Sequence, residues 1–182
     1  MNMININPLP LVLTGMMGSG KSTVGSLLAI ELGREFFDLD GLIEQKCGRQ
    51  IPQLFEESGE SAFRELEEVV LAEALQQGNP VIAAGGGVLL SSKNRQLLHD
   101  GSRVLLLEAP LPELEQRLAS VDRSRPLLNS SGSLAEQLER LHSERQHLYC
   151  QTADIVVDTV GLNPQQVVTV ILNMLENYDV SI

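Results

Sequence analysis

Three things are scarce in this chain of 182 residues: aromatic side chains, positive charge and cysteine. It has no Trp, two Tyr and four Phe, and 13 Lys and Arg stand against 24 Asp and Glu, a formal charge of −11. A nucleic-acid binder needs a basic footprint and often aromatic platforms for stacking, so that class is excluded as a first reading. Only Lys21, Lys46 and Lys93 are lysines, and the other ten cations are Arg. An anionic ligand must therefore find a local positive pocket within a negative protein. Cys47 and Cys150 have no metal-ligand spacing and read as free thiols of a reducing compartment. Long hydrophobic runs are also missing. The stretch Leu9–Leu13 is far too short to span a membrane, and Met1–Pro10 has no basic start. The expectation is a cytoplasmic protein with no membrane partner.

The length suits one domain over 1–182, and a chain of this size buries about 70% of its unfolded surface without a disulfide or metal staple. Short apolar runs at Leu9–Thr14, Phe36–Leu39, Pro80–Ala84, Arg103–Leu107 and Asp154–Val157 read as strands. Helical patterns lie between and after them, at Lys21–Leu32, Gly41–Cys47, Ser61–Gln77, Ser92–His99, Leu111–Ala119, Ser133–Cys150 and Pro164–Asn177. This alternation predicts an α/β protein with a parallel sheet covered on both faces. The polar segment 120–132 carries Arg123, Arg125 and Pro126, and reads as either an active-site lid or a surface loop.

Gly15 to Ser22 fits G-x-x-x-x-G-K-[ST] at every fixed position, after a strand and at the opening of a helix. Glycines let successive backbone N–H groups turn in on phosphates, and the helix start aims its dipole at the same anion. Gly18, Ser19, Gly20, Lys21, Ser22 and Thr23 become nucleotide-binding candidates. Lys21 reaches the terminal phosphates and Ser22 offers a hydroxyl to Mg²⁺, so ATP with magnesium is the expected ligand. Asp38 and Asp40 stand at the end of the second expected strand, where two carboxylates two residues apart point the same way. One serves the water shell of Mg²⁺ and the other a substrate hydroxyl; alternatively Asp40 caps the next helix and Asp38 is solvated. Gly85-Gly86-Gly87 reads as a site where a ligand lies against bare backbone, or as a tight turn. Arg64 and Glu67, three apart on a helix, can pair.

Taken in order, GMMGSGKST, DLD at 38–40, FRELE at 63–67, GGG at 85–87, RPLL at 125–128 and ERQHLY at 144–149 resemble the shikimate kinase family from Pro10 to about Asn177. The resemblance implies a three-layer α/β/α fold like that of nucleoside monophosphate kinases, with five parallel strands ordered 2-3-1-4-5 and a lid. It implies transfer of the γ-phosphoryl group of ATP to the 3-hydroxyl of shikimate, a step toward chorismate. In that scheme Asp40 binds ring hydroxyls, Arg64 and Arg145 clamp the carboxylate, and Gly86 and Gly87 lend backbone contacts. Glu67 holds Arg64, and Phe55 and Phe63 wall the ring, all within a substrate-binding region at about 38–68. Asp38 serves Mg²⁺ through water, Arg125 comes from the lid to the phosphates, and Arg117 flanks the adenine. The segment 158–164 carries no Arg or Lys, which leaves adenine contacts there to backbone and apolar groups. A monomer is expected. The rivals are another small-molecule kinase of this superfamily, such as a gluconate kinase, and a nucleotide-binding module without catalysis.

Overall fold

The computed structural model describes residues 9–119 and 132–179. Five strands form one parallel sheet: β1 Leu11–Thr14, β2 Phe36–Asp38, β3 Val81–Ala83, β4 Arg103–Glu108 and β5 Ile155–Asp158. Their order is β2-β3-β1-β4-β5, as the family resemblance implied. The helices of the described residues are α1 Lys21–Leu32, α2 Leu39–Cys47, α3 Ile51–Leu75, α4 Ser92–Gly101, α5 Leu111–Ala119, α6 Leu134–Thr152 and α7 Pro164–Asp179.

Strand periodicity of two divides the apolar residues between two cores. Leu11 and Leu13 of β1, with Leu105 and Leu107 of β4, pack under Val24 and Leu28 of α1 and Ile171 and Leu175 of α7. Val12, Val104 and Leu106 point the other way, into a cluster with Leu71 of α3, Leu98 of α4, Leu114 of α5 and Leu141 of α6. Both faces of the sheet are therefore covered, which is why its strands read as continuous apolar runs.

β1 lies between β3 and β4. The chain leaves β1 toward β2 on one side and completes the sheet with β4 and β5 on the other. A crevice opens beyond the carboxyl ends of the strands at such a switch point. The loop 15–20 leaves β1 into this crevice, and α1 begins at Lys21. Its cap, Gly20, supplies no side-chain hydrogen bond, so the first N–H groups of the helix face the crevice without a protein cap.

Among the boundaries that move, two bear on the site. β2 ends at Asp38, and Leu39 and Asp40 already belong to α2. Asp38 is the helix cap, its carboxylate accepting from the Gly41 N–H at 3.4 Å. The two aspartates thus do not share a strand face, and the capping residue is Asp38 rather than Asp40. The helix expected from Ser61 begins ten residues earlier in the structure, at Ile51. Gln50 and Gln53 form a reciprocal capping box, and Pro52 sits in the first turn, a start compatible with its missing N–H. The two halves of α3 meet at Gly59, which is not helical, with φ 78° and ψ 172°. A 3-10 turn at Val88–Leu90 follows the glycine triplet.

That backbone conformation is nearly exclusive to glycine. A Cβ on Gly59 would meet no atom within 4 Å, so a substitution there tests the backbone alone. Gly59→Ala is expected to lower unfolding free energy by about 1–3 kcal/mol, measured by denaturant titration. Gly101→Ala at the end of α4, equally uncrowded but without a positive φ, should be neutral or stabilising by up to about 1 kcal/mol. Equal stability of the two variants would contradict this account of the kink.

Candidate active site

Gly15 to Ser22 wraps the end of β1. A Cβ on Gly15, at φ 136°, would stand 2.5 Å from the carbonyl oxygen of Leu107 on the neighbouring strand. Only a bare backbone can leave β1 that close to β4. Lys21 Nζ donates to the carbonyls of Gly15 and Met16, both at 2.9 Å, which lays its charge across the loop. Ser22 Oγ donates to Asp38 Oδ2 at 2.5 Å. The hydroxyl and the carboxylate marked in the sequence as magnesium candidates are therefore adjacent, although 16 residues apart.

The register of β2 with β3 sets Asp38 opposite Ala83, so the start of α2 lies beside the glycine triplet that follows β3. There the packing is close. A Cβ on Gly85 would be 2.7 Å from Asp40 Oδ1 and 3.1 Å from Glu67 Oε1, and one on Gly87 would be 2.5 Å from both terminal nitrogens of Arg64. The triplet is what lets two acids and an arginine converge on one short stretch of backbone. Sequence alone offered only a ligand against bare backbone, or a turn.

Arg64 donates from Nη1 to Glu67 Oε2 at 2.8 Å and from Nη2 to Glu60 Oε1 at 3.1 Å. Glu67 is only 1% exposed. Burial pushes its carboxyl above the ordinary range, the Arg64 charge pulls it back in part, and the charge of Asp40 adds to the rise. Arg145 approaches from α6, 5% exposed, and donates to the Gly86 carbonyl at 3.1 Å. The Nε atoms of Arg64 and Arg145 are both buried without a hydrogen-bond partner. Buried donors are rarely left so, and two guanidinium groups in one place suit a planar anion such as a carboxylate. Phe55 and Phe63 lie beside them, their rings tilted by 37° with centroids 4.6 Å apart. Phe55, Ile51 and Pro52 come from the half of α3 that sequence periodicity missed. The signal available for it was the pairing of Gln50 with Gln53 before an apolar run.

On the other side of the loop, Arg117 of α5 reaches the segment after β5. It donates to Thr159 Oγ1 and to the Thr159 carbonyl, each at 3.1 Å, and pairs with Glu113. Thr159, buried, donates in turn to the Glu108 carbonyl at 2.8 Å. The segment without basic residues of its own thus borrows one from α5. A single cavity of about 550 Å³ runs from Arg117, Gly18 and Lys21 past Asp38 and Asp40 to Phe55, Arg64, Gly87 and Arg145. Arg125 and residues 120–131 of the expected lid at 120–132 lie outside the described residues. Sequence reasoning also missed Tyr149, which donates to the Gly86 carbonyl at 2.5 Å.

A family model for shikimate kinase matches residues 17–176. The chain is 42% identical over 171 residues to a shikimate kinase of Bordetella avium, covering 94% of this chain and 81% of that relative. It is 43% identical over 166 residues to one of Pseudomonas putida, covering 91% and 95%. Among solved structures, the shikimate kinase of Acinetobacter baumannii in complex with shikimate superposes with a TM-score of 0.89 at 36% identity, covering 94% of this chain and 95% of that one. A deoxyadenosine kinase of M. mycoides, at 19% identity and a TM-score of 0.61, shares the fold.

The crowding at the triplet is directly testable. Gly87→Ala should push the Arg64 guanidinium off its place and leave the phosphate loop untouched. An acid substrate is then expected to bind roughly 10- to 100-fold more weakly, the worth of a hydrogen bond to a charged group, with nucleotide binding unchanged in calorimetry. Equal weakening of both ligands would refute it. Glu67 adds a pH dependence. Its folded-state pKa is raised, so its contribution to stability is full below its unfolded pKa and is lost as pH rises through the folded value. The stability of wild type relative to Glu67→Gln should therefore decline as pH is raised from the ordinary carboxylate range toward neutrality. A flat difference in urea midpoints would contradict the buried, raised carboxyl.

Proposed function

Because the chain belongs to the shikimate kinase family, we propose that it transfers the γ-phosphoryl group of ATP to the 3-hydroxyl of shikimate, releasing ADP and shikimate 3-phosphate. The observation that carries this is the pair of buried, unpartnered Nε donors on Arg64 and Arg145, in the same cavity as the phosphate loop. A substrate that fills the cavity brings a carboxylate to the arginines and a hydroxyl toward Asp40. The transferred group comes from the Lys21 side.

The chemistry asks chiefly for positioning and charge stabilisation. The N–H groups of the loop and of the α1 start hold the β- and γ-phosphates. Lys21 leaves the loop carbonyls to neutralise charge as it develops on the transferring group. Asp40 orients the ring hydroxyl and accepts its hydrogen bond. The hydroxyl gives its proton to Asp40 and its oxygen bonds to the γ-phosphorus, while the bond from that phosphorus to the bridging β-phosphate oxygen breaks and ADP leaves. Arg64 and Arg145 grip the carboxylate, with Gly86 and Gly87 beside it, and Glu67 keeps Arg64 in place. Phe55 and Phe63 wall the ring. Arg117, held by Thr159 and Glu113, flanks the adenine, and Gly18, Gly20, Ser19 and Thr23 complete the nucleotide site. Arg125 belongs to the same scheme, as the lid residue that meets the phosphates.

Magnesium fits the residues present. Ser22 Oγ and Asp38 Oδ2 are hard oxygen donors side by side, and the described residues contain no group of three or more acidic, His or Cys side chains that would form a full protein cage. Mg²⁺ prefers this sparse setting, in which water and phosphate supply most of the ligands. When bound, it screens the β- and γ-phosphate charge. Among the described residues no helix is long and apolar enough to cross a membrane. The same reading has residues 1–182 act as one unit, a monomer in the cytoplasm.

ADP release measured with shikimate, with gluconate and with no acceptor tests this. Turnover is expected with shikimate alone; preference for gluconate, or hydrolysis independent of acceptor, would overturn it. Lys21→Ala should fold normally and lose on the order of 10²–10³ in kcat.

A further inference from the structure

We propose that Tyr149 is a positioning residue for the carboxylate clamp: its hydroxyl shares the Gly86 carbonyl with Arg145 and so fixes where the Arg145 guanidinium sits. The inference rests on the carboxylate role proposed above for Arg145. Tyr149 lies four residues after Arg145 on α6, so the two side chains share one face of the helix. Both reach the same acceptor. Tyr149 Oη donates to the Gly86 carbonyl at 2.5 Å, and Arg145 Nη1 donates at 3.1 Å. A carbonyl oxygen has two lone pairs, and here each has a donor.

The phenol is built in rather than incidental. Tyr149 is 3% exposed and packs in the core cluster, where a buried hydroxyl needs a partner. Burial pushes its pKa up to about 12, so it stays a donor throughout the neutral range. The shorter of the two bonds is the tyrosine's. Without it, the Gly86 carbonyl keeps only Arg145. The guanidinium then centres on that carbonyl, and the short backbone between Gly86 and Gly87 loses its second anchor. Both movements displace the fork that a carboxylate needs for bidentate pairing. The Tyr149 hydroxyl gives its hydrogen bond to the Gly86 carbonyl, so nucleotide binding and the transfer step are expected to change little.

Tyr149→Phe keeps the ring and removes the hydroxyl. It should raise the KM for shikimate about tenfold, the scale of one hydrogen bond to a charged group. Neither kcat nor the KM for ATP should change by more than about twofold. The discriminating arm uses the methyl ester of shikimate, which lacks the charge. Wild type should prefer the acid strongly, and Tyr149→Phe should lose part of that preference with its kcat/KM for the ester unchanged. In an Arg145→Ala background, Tyr149→Phe should have no further effect on the KM for shikimate. Tyr149→Met, which also lacks the hydroxyl, repeats every arm if the Phe variant does not fold. An undiminished acid preference in the hydroxyl-less variants, or equal losses for acid and ester, would overturn the proposal and leave Tyr149 a packing residue. If wild type itself does not distinguish acid from ester, the clamp role of Arg145 fails and Tyr149 has nothing to position.

Discussion

A carboxylate buried to the extent of Glu67 is costly unless a cation and hydrogen bonds compensate it. Arg64 supplies both. Because the pair is three residues apart on one helix, it does not itself fix the tertiary structure. What does is the backbone laid against it. A Cβ on Gly85 would press on Asp40 at 2.7 Å and Glu67 at 3.1 Å, and one on Gly87 on Arg64 at 2.5 Å, so the bare triplet lets β3 and α3 lie together with the pair undisturbed. Asp40 enters the same cluster from α2, and Arg145 and Tyr149 enter it from α6. Loosening the triplet would disturb four elements at once.

The phosphate loop depends on a second close approach, of Gly15 to the Leu107 carbonyl. Parallel strands on both sides of β1 hold the loop in place. They also direct the start of α1 into the crevice where the acid and arginine cluster lies. One cavity therefore has two ends of different character. A helix N-terminus and a lysine suit phosphate at one end, and two guanidinium groups suit a smaller planar anion at the other. In a protein of charge −11, both ends of the one cavity are chemically suited to anions.

Arg117 illustrates how a local deficit is met from elsewhere in the fold. The segment after β5 lacks a basic residue, yet Thr159 accepts two hydrogen bonds from Arg117 across 42 residues of chain. Thr159 is itself tied to the end of β4. The guanidinium is thereby fixed at the edge of the cavity that holds the phosphate loop.

Much of this protein is determined locally. The spacing of Gly15, Gly20, Lys21 and Ser22, the first residue of α1, both ends of α5 and the alternation of strands and helices follow from short-range preferences, and these were legible in the chain. The order of motifs from GMMGSGKST to ERQHLY was enough to indicate the family and its strand order. The start of α3 was missed because Gly59 interrupts the helical period. The placement of Asp38 as a cap was missed because strand and helix rules compete at that residue. Only the tertiary structure decided that Gly87 makes room for Arg64, that Ser22 meets Asp38, and that Tyr149 meets the Gly86 carbonyl 63 residues away. Each of these contacts joins side chain or backbone from different elements. No period or propensity specifies such a contact, because it depends on the register and packing that bring the elements together.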